Sequence, residues 1–171
     1  MAKFEFKFAG PFPVFTKKGS HGYQRVSSKQ QALWKQIKDD LNLDQSMTKN
    51  KGIYIFTNSN MTPLYVGKTA SSYGGECFTE HKRSLLNDHL RVNGTKDHQV
   101  IKICFIYTLA KPQKKSDMIR LSEKIDEMET HYILKGIEAN TNGLLNTRKI
   151  NRSWDCDELK KIFKKGRRQR D

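Results

Sequence analysis

Gly52-Ile53-Tyr54-Ile55-Phe56, then Asn58-Ser59-Asn60-Met61-Thr62-Pro63, then Leu64-Tyr65-Val66-Gly67-Lys68: this stretch decides the fold. The two outer runs are rich in β-branched and aromatic residues, and the middle run is made of turn formers. The pattern predicts a β-hairpin. Tyr54 and Tyr65 fall on opposite arms, eleven residues apart. In a suitable register both phenols face the same side of the ribbon. Lys68 stands at the end of the second arm.

Downstream, residues 69–75 (TASSYGG) read as a loop, and Glu76 to about Leu90 as a helix carrying His81 in its first turns. Val100–Tyr107 is apolar enough for a central third strand. From Asp117 to about Gly136, Met118, Leu121, Ile125, Met128 and Tyr132 recur at helical spacing. Ser116 can cap this helix and Gly136 can end it. Glu129 lies on it among Ile125, Met128 and Ile133. Residues 140–143 then turn the chain into Leu144-Leu145-Asn146. Upstream, Phe4–Phe8 alternates with period two and predicts a short strand, interrupted by Gly10, Pro11 and Pro13. Ala32, Leu33, Ile37 and Leu41 predict a helix from Ser27 or Ser28 to about Leu43. A last short helix is expected over 155–163, followed by a basic tail. The element order is that of an α+β domain.

The 171 residues suffice for one domain with a substantial core. Hydrophobic residues at 36% and aromatics at 10% exclude a disordered chain. No apolar run approaches the roughly 18 residues of a membrane span. MAKFEFKFAG lacks a signal-peptide core, so a soluble, cytoplasmic protein is expected. Cys77, Cys104 and Cys156 are widely spaced without a CxxC, which fits neither a disulfide framework nor a zinc module. The five histidines form no metal-binding pair of HExxH type. The formal net charge of +14 is spread along the chain and favours a polyanionic partner, foremost nucleic acid. A membrane surface is disfavoured, because no basic amphipathic helix with an aromatic face stands out.

Tyr54, Tyr65, Lys68, His81 and Glu129 together supply acid/base groups, a cation and a carboxylate. Such a set suits phosphoryl chemistry. Singly, each is ordinary: tyrosines on a hairpin usually pack, and a helical glutamate is usually solvated. The residues alone reach a basic α+β domain that binds nucleic acid.

The segment Gly52-Ile53-Tyr54 … Tyr65-Val66-Gly67-Lys68 resembles the signature of the GIY-YIG nucleases. The resemblance continues in order through His81, the central strand, Glu129-Thr130-His131-Tyr132-Ile133 and Gly143-Leu144-Leu145-Asn146, covering residues 51–150. It implies a small three-stranded antiparallel sheet flanked by helices, with an N-terminal arm and helix over 1–50 and a basic C-terminal segment over 151–171. It implies hydrolysis of DNA phosphodiesters with one divalent cation per site, Mg2+ or Mn2+. Glu129 then matches the metal ligand, and Tyr54 the group that helps deprotonate the attacking water. Tyr65 would position the phosphate or the water. Lys68 would aid water activation or neutralise the phosphate, and His81 matches a position held by His or Tyr. Asn146 would tie the site together, and Gly67 would allow close backbone packing or a strand irregularity.

One position departs from the family pattern. An arginine is expected one helical turn before His81, where this chain has Cys77. Cysteine supplies neither the charge nor the guanidinium fork that holds a phosphate. Three explanations stand: an inactivated nuclease, substitution by Lys82 or Arg83, or a domain that binds DNA without cutting. The otherwise intact positions favour the first. Arg83 lies about 200° around a helix from His81, which argues against it as the substitute.

The short chain implies a free-standing enzyme of restriction type, with homing or phage host-DNA-degrading nucleases as alternatives. Lys17, Lys18 and Arg25, near Gly19 and Gly22, are candidates for groove or phosphate contacts. Cutting both strands with one site per chain suggests a homodimer on a palindromic site.

Overall fold

The computed structural model describes residues 3–93, 100–140 and 144–146. The helix expected over 155–163 and the segment 151–171 lie outside the described residues. The first strand, β1 (Lys7–Pro13), starts later than the Phe4–Phe8 alternation predicts and runs through Gly10, Pro11 and Pro13. A bulge makes this possible. Ala9 pairs with Phe105 and Phe12 with Ile103, so β1 uses one residue more than its partner over this step. In an unbroken strand Ala9 and Phe12 would face opposite sides. The extra residue turns both inward, where they are buried. Gly10 adopts φ +115°, and a Cβ there would stand 2.9 Å from the Ile103 carbonyl oxygen. β1 is an edge strand, where proline is tolerated.

A small hairpin that the sequence reading does not predict follows, β2 (Thr16–Lys18) and β3 (Gln24–Val26), with Lys17 opposite Arg25. Helix α1 (Gln31–Asp40) is shorter than predicted at both ends. The Gln30 side chain bonds the backbone of Phe15 and Ser27 and holds the preceding segment out of the helix. Leu33 and Ile37 of α1 are fully buried. A 3-10 turn (Met47–Lys49) leads into β4 (Lys51–Thr57) and β5 (Pro63–Thr69), the predicted hairpin.

The helix expected from Glu76 begins at Glu80 instead, and a short helix precedes it in the stretch expected to be loop: α2 (Tyr73–Glu76) and α3 (Glu80–Asn93). The break has a packing cause. Cys77 is fully buried, and the adjacent Phe78 packs edge-on against Trp34 and Phe56, at 5.8 and 5.6 Å between ring centroids. Consecutive residues of a continuous helix do not share one face. Strand β6 (Lys102–Thr108) and helix α4 (Lys115–Ala139) complete the described elements. Lys114, not Ser116, precedes α4, with no side-chain cap. Gly136 does not end α4. It lies buried within it, where an added Cβ would stand 3.1 Å from a Leu144 methyl.

The main sheet has four antiparallel strands in the order β1-β6-β4-β5, not three. The fourth is β1, so the N-terminal residues build the sheet. Helix α4 covers one face, packing Leu121, Ile125 and Ile133 on Ile53, Val66 and Ile106. The other face carries Tyr54, Phe56 and Phe105 against Leu33, Ile37, Tyr73, Leu86 and Leu90. The chain is a mixed α+β protein. No helix among the described residues is long and apolar enough to cross a membrane.

Candidate active site

Register brings the two tyrosines together. Tyr54 lies opposite Gly67, and Phe56 opposite Tyr65, so 54 and 65 project from the same face as diagonal neighbours. Their rings stack at 6.2 Å between centroids and 24° between planes. Gly67 is the condition for this. A Cβ there would stand 2.2 Å from Cζ of Tyr54, so the ring occupies the space a side chain would fill. Gly52 is required twice over: its φ is +139°, and a Cβ would lie 2.1 Å from the Ile106 carbonyl oxygen. The Tyr73 hydroxyl lies 3.0 Å from the carbonyl oxygens of both Ile53 and Ile106 and bridges β4 to β6. Its ring stands edge-on to Tyr54. Tyr73 falls in the stretch expected to be loop, and only its single aromatic side chain hinted at burial.

The surroundings keep both phenols neutral. Burial, then the nearby Cys77, Tyr65, Glu76 and Glu129, push the Tyr54 phenol far above its ordinary range. Burial, then Glu129 and Glu76, push Tyr65 up to about 12, against a hydrogen bond with Tyr54 that works the other way. Glu76 and Glu129 therefore both act electrostatically on the tyrosine pair.

Lys68 pairs with Ile53 and so points to the α4 face of the sheet. There its ammonium bonds Asp126 and stands 3.5 Å from Oε2 of Glu129. Partial burial opposes its charge, but the hydrogen bond to Asp126 and the charge of Glu129 outweigh it and hold the ammonium above its ordinary value. The Glu129 side chain is only 7% exposed. Asp126 escaped the sequence reading. Its only signal there is the i, i+3 spacing from Glu129 on one helix.

Cys77 does not share a helix with His81. It closes α2, is fully buried, and its thiol is pushed well up by burial, with Lys82 acting in the opposite direction. It packs; it presents no group to a substrate. His81 is exposed in the first turn of α3 and makes no hydrogen bond or ion pair among the described residues. Arg83 turns its Nε to the Phe78 carbonyl, 3.1 Å away. Lys82 instead brings its ammonium to 5.5 Å from the Tyr54 ring centroid, bonded to Glu76.

Asn146 lies against the exposed edge of β5. Its side chain accepts from the Val66 N–H at 2.8 Å and donates to the Val66 carbonyl, imitating a neighbouring strand. Leu145 N–H donates to Leu64, and the Asn140 amide to Pro63, along the same edge.

Among the described residues no group of three or more His, Cys, Asp or Glu is placed to hold a metal ion. The donor chemistry nonetheless fits a magnesium-like cation. Asp126 and Glu129 already converge on one cationic atom, Nζ of Lys68. Mg2+ commonly takes one or two carboxylates and completes its shell with water and phosphate oxygens. Comparison of the chain with family models, curated proteins and solved structures found no match to any of them.

Proposed function

We propose that this chain is a metal-dependent endonuclease of GIY-YIG type that hydrolyses phosphodiester bonds in double-stranded DNA. One observation carries the reading: the strand register stacks the two tyrosines of the signature on one hairpin, and Lys68 at the end of that hairpin stands 3.5 Å from the buried Glu129. The chain's net charge of +14 supports a polyanionic substrate.

In this reading Glu129 would hold the cation with Asp126 as a second carboxylate, the Lys68 ammonium moving off both carboxylates to the phosphate. The bound cation would supply Lewis-acid stabilisation of charge developing on the phosphate. Lys68 stays charged and neutralises phosphate oxygens, and does not take protons. Tyr54 and Tyr65 act as neutral hydroxyls that orient water and phosphate by hydrogen bonds. Direct proton abstraction by Tyr54 would need a phenolate that its surroundings oppose. Asn146 and Gly67 hold β5 and the Tyr54 ring in place. A homodimer acting on a palindromic site extends this reading to double-strand cuts.

The burial of Cys77 favours a second reading, a DNA-binding domain that does not cut, because no guanidinium stands there. The two separate on long linear DNA incubated with Mg2+ or Mn2+. Discrete fragments, abolished by EDTA, support the nuclease. Retarded but intact DNA under every metal condition supports the binding module.

A further inference from the structure

We propose that Lys82 is the cation that receives the scissile phosphate, and that Glu76 occupies it until DNA arrives. The inference rests on the nuclease reading and names a residue for it. A lysine is rarely more than nine-tenths buried unless it is paired. Lys82 is 9% exposed. Its Nζ donates to the Glu76 carbonyl at 2.6 Å and to the Glu76 carboxylate, and it lies over the face of Tyr54. Tyr54 is one of the tyrosine pair, so α3 delivers a positive charge beside that pair, where Cys77 offers none.

The ion pair is unequal. The Lys82 side chain is 11% exposed and that of Glu76 is 42% exposed. The ammonium is fixed by the backbone carbonyl and the aromatic face, whereas the carboxylate reaches solvent. A phosphate oxygen can therefore replace the carboxylate on the same ammonium without a new cation being buried. Charge-assisted bonds from such a donor strengthen as charge builds on the phosphate. Arg83, committed to the Phe78 carbonyl, is not placed for this.

The test compares wild type with Lys82→Gln, Lys82→Arg, Glu76→Gln, the Glu76→Gln/Lys82→Gln double variant, Glu138→Gln and Glu129→Gln. Each is checked for folding by circular dichroism. Long duplex DNA is the probe, read for binding with EDTA and for cleavage with Mg2+. Lys82→Gln is expected to lower the cleavage rate on the order of hundredfold, and Lys82→Arg to retain most of it. Glu76→Gln is expected to tighten DNA binding severalfold, and the double variant to lose that gain. A merely structural ion pair would give Glu76→Gln no more tightening than Glu138→Gln, which neutralises the carboxylate of the exposed Lys135–Glu138 pair and measures the general effect of charge. Cleavage and binding by folded Lys82→Gln at wild-type levels would overturn the proposal, as would weaker binding by Glu76→Gln. Cleavage that depends on Glu129 but not on Lys82 would sink Lys82 and leave the nuclease standing. Absence of cleavage in wild type would sink the nuclease and with it the catalytic part. The binding gain and its loss in the double variant would then still decide whether Lys82 takes phosphate. Should Lys82→Gln not fold, the gain of Glu76→Gln over that of Glu138→Gln decides: a clear excess supports the proposal, and equal gains overturn it.

Discussion

Gly67 and Tyr54 form one unit: the glycine's missing side chain is the space in which the tyrosine ring lies. Gly67→Ala should therefore cost about 1–3 kcal/mol of stability through overpacking. It should also displace the Tyr54 hydroxyl and reduce cleavage beyond that loss, as urea melts and rate measurements on the folded variant will show. Tyr65 offers a test through pH. Its phenol is raised from 10.0 to about 12 in the fold, so the neutral form is favoured there. The resulting stability is fully present below the unfolded value and is lost as pH rises through the folded one. Alkaline denaturation should accordingly be less steep in Tyr65→Phe, and ultraviolet titration should lose one late-ionising phenol. An unchanged alkaline limb would contradict the assigned environment. The tyrosine pair was legible in the sequence because strand alternation and a short turn leave few registers. The Lys82–Glu76 pair was not. Which way Lys82 points depends on where α3 begins, and that is set by the inward packing of Cys77 and Phe78.

The β5 edge owes its closure to a short segment far along the chain. Asn146 is 2% exposed and satisfies both backbone groups of Val66. Asn146→Ala leaves a buried N–H and C=O without partners and should cost about 1–3 kcal/mol. Denaturant unfolding will measure this, with Asn146→Asp at least as costly, because it buries a carboxylate and sets one of its oxygens against the Val66 carbonyl. Equal stability of wild type and Asn146→Ala would show the edge to be held otherwise. At this scale the hairpin and the long helix were readable from periodicity. The course of β1 was not, because a bulge at Gly10-Pro11 reverses the alternation on which strand reading depends. The α2–α3 break escaped for a similar reason: residues 76–90 keep apolar contacts at intervals that one helix would also satisfy.

Across the whole molecule, residues from the N-terminal third share a core with the hairpin. Ala9, Phe12, Val14, Leu33 and Ile37 lie in the same cluster as Tyr54 and Phe105. Deleting residues 1–13 would uncover the edge of β6 and remove two of these side chains. The truncated chain should lose cooperative melting and aggregate in size-exclusion chromatography; a monomer with a wild-type melt would show β1 to be dispensable. The positive charge, legible from composition alone, bears on the partner and not on the fold. Metal-dependent cleavage at Glu129 is tested most simply by the nicking of supercoiled plasmid DNA in Mg2+ by wild type and by Glu129→Gln, at equal folded concentrations. Metal-dependent nicking by wild type and its near-complete loss in Glu129→Gln are expected. Equal nicking by both, or none by wild type, would contradict metal-dependent cleavage at Glu129.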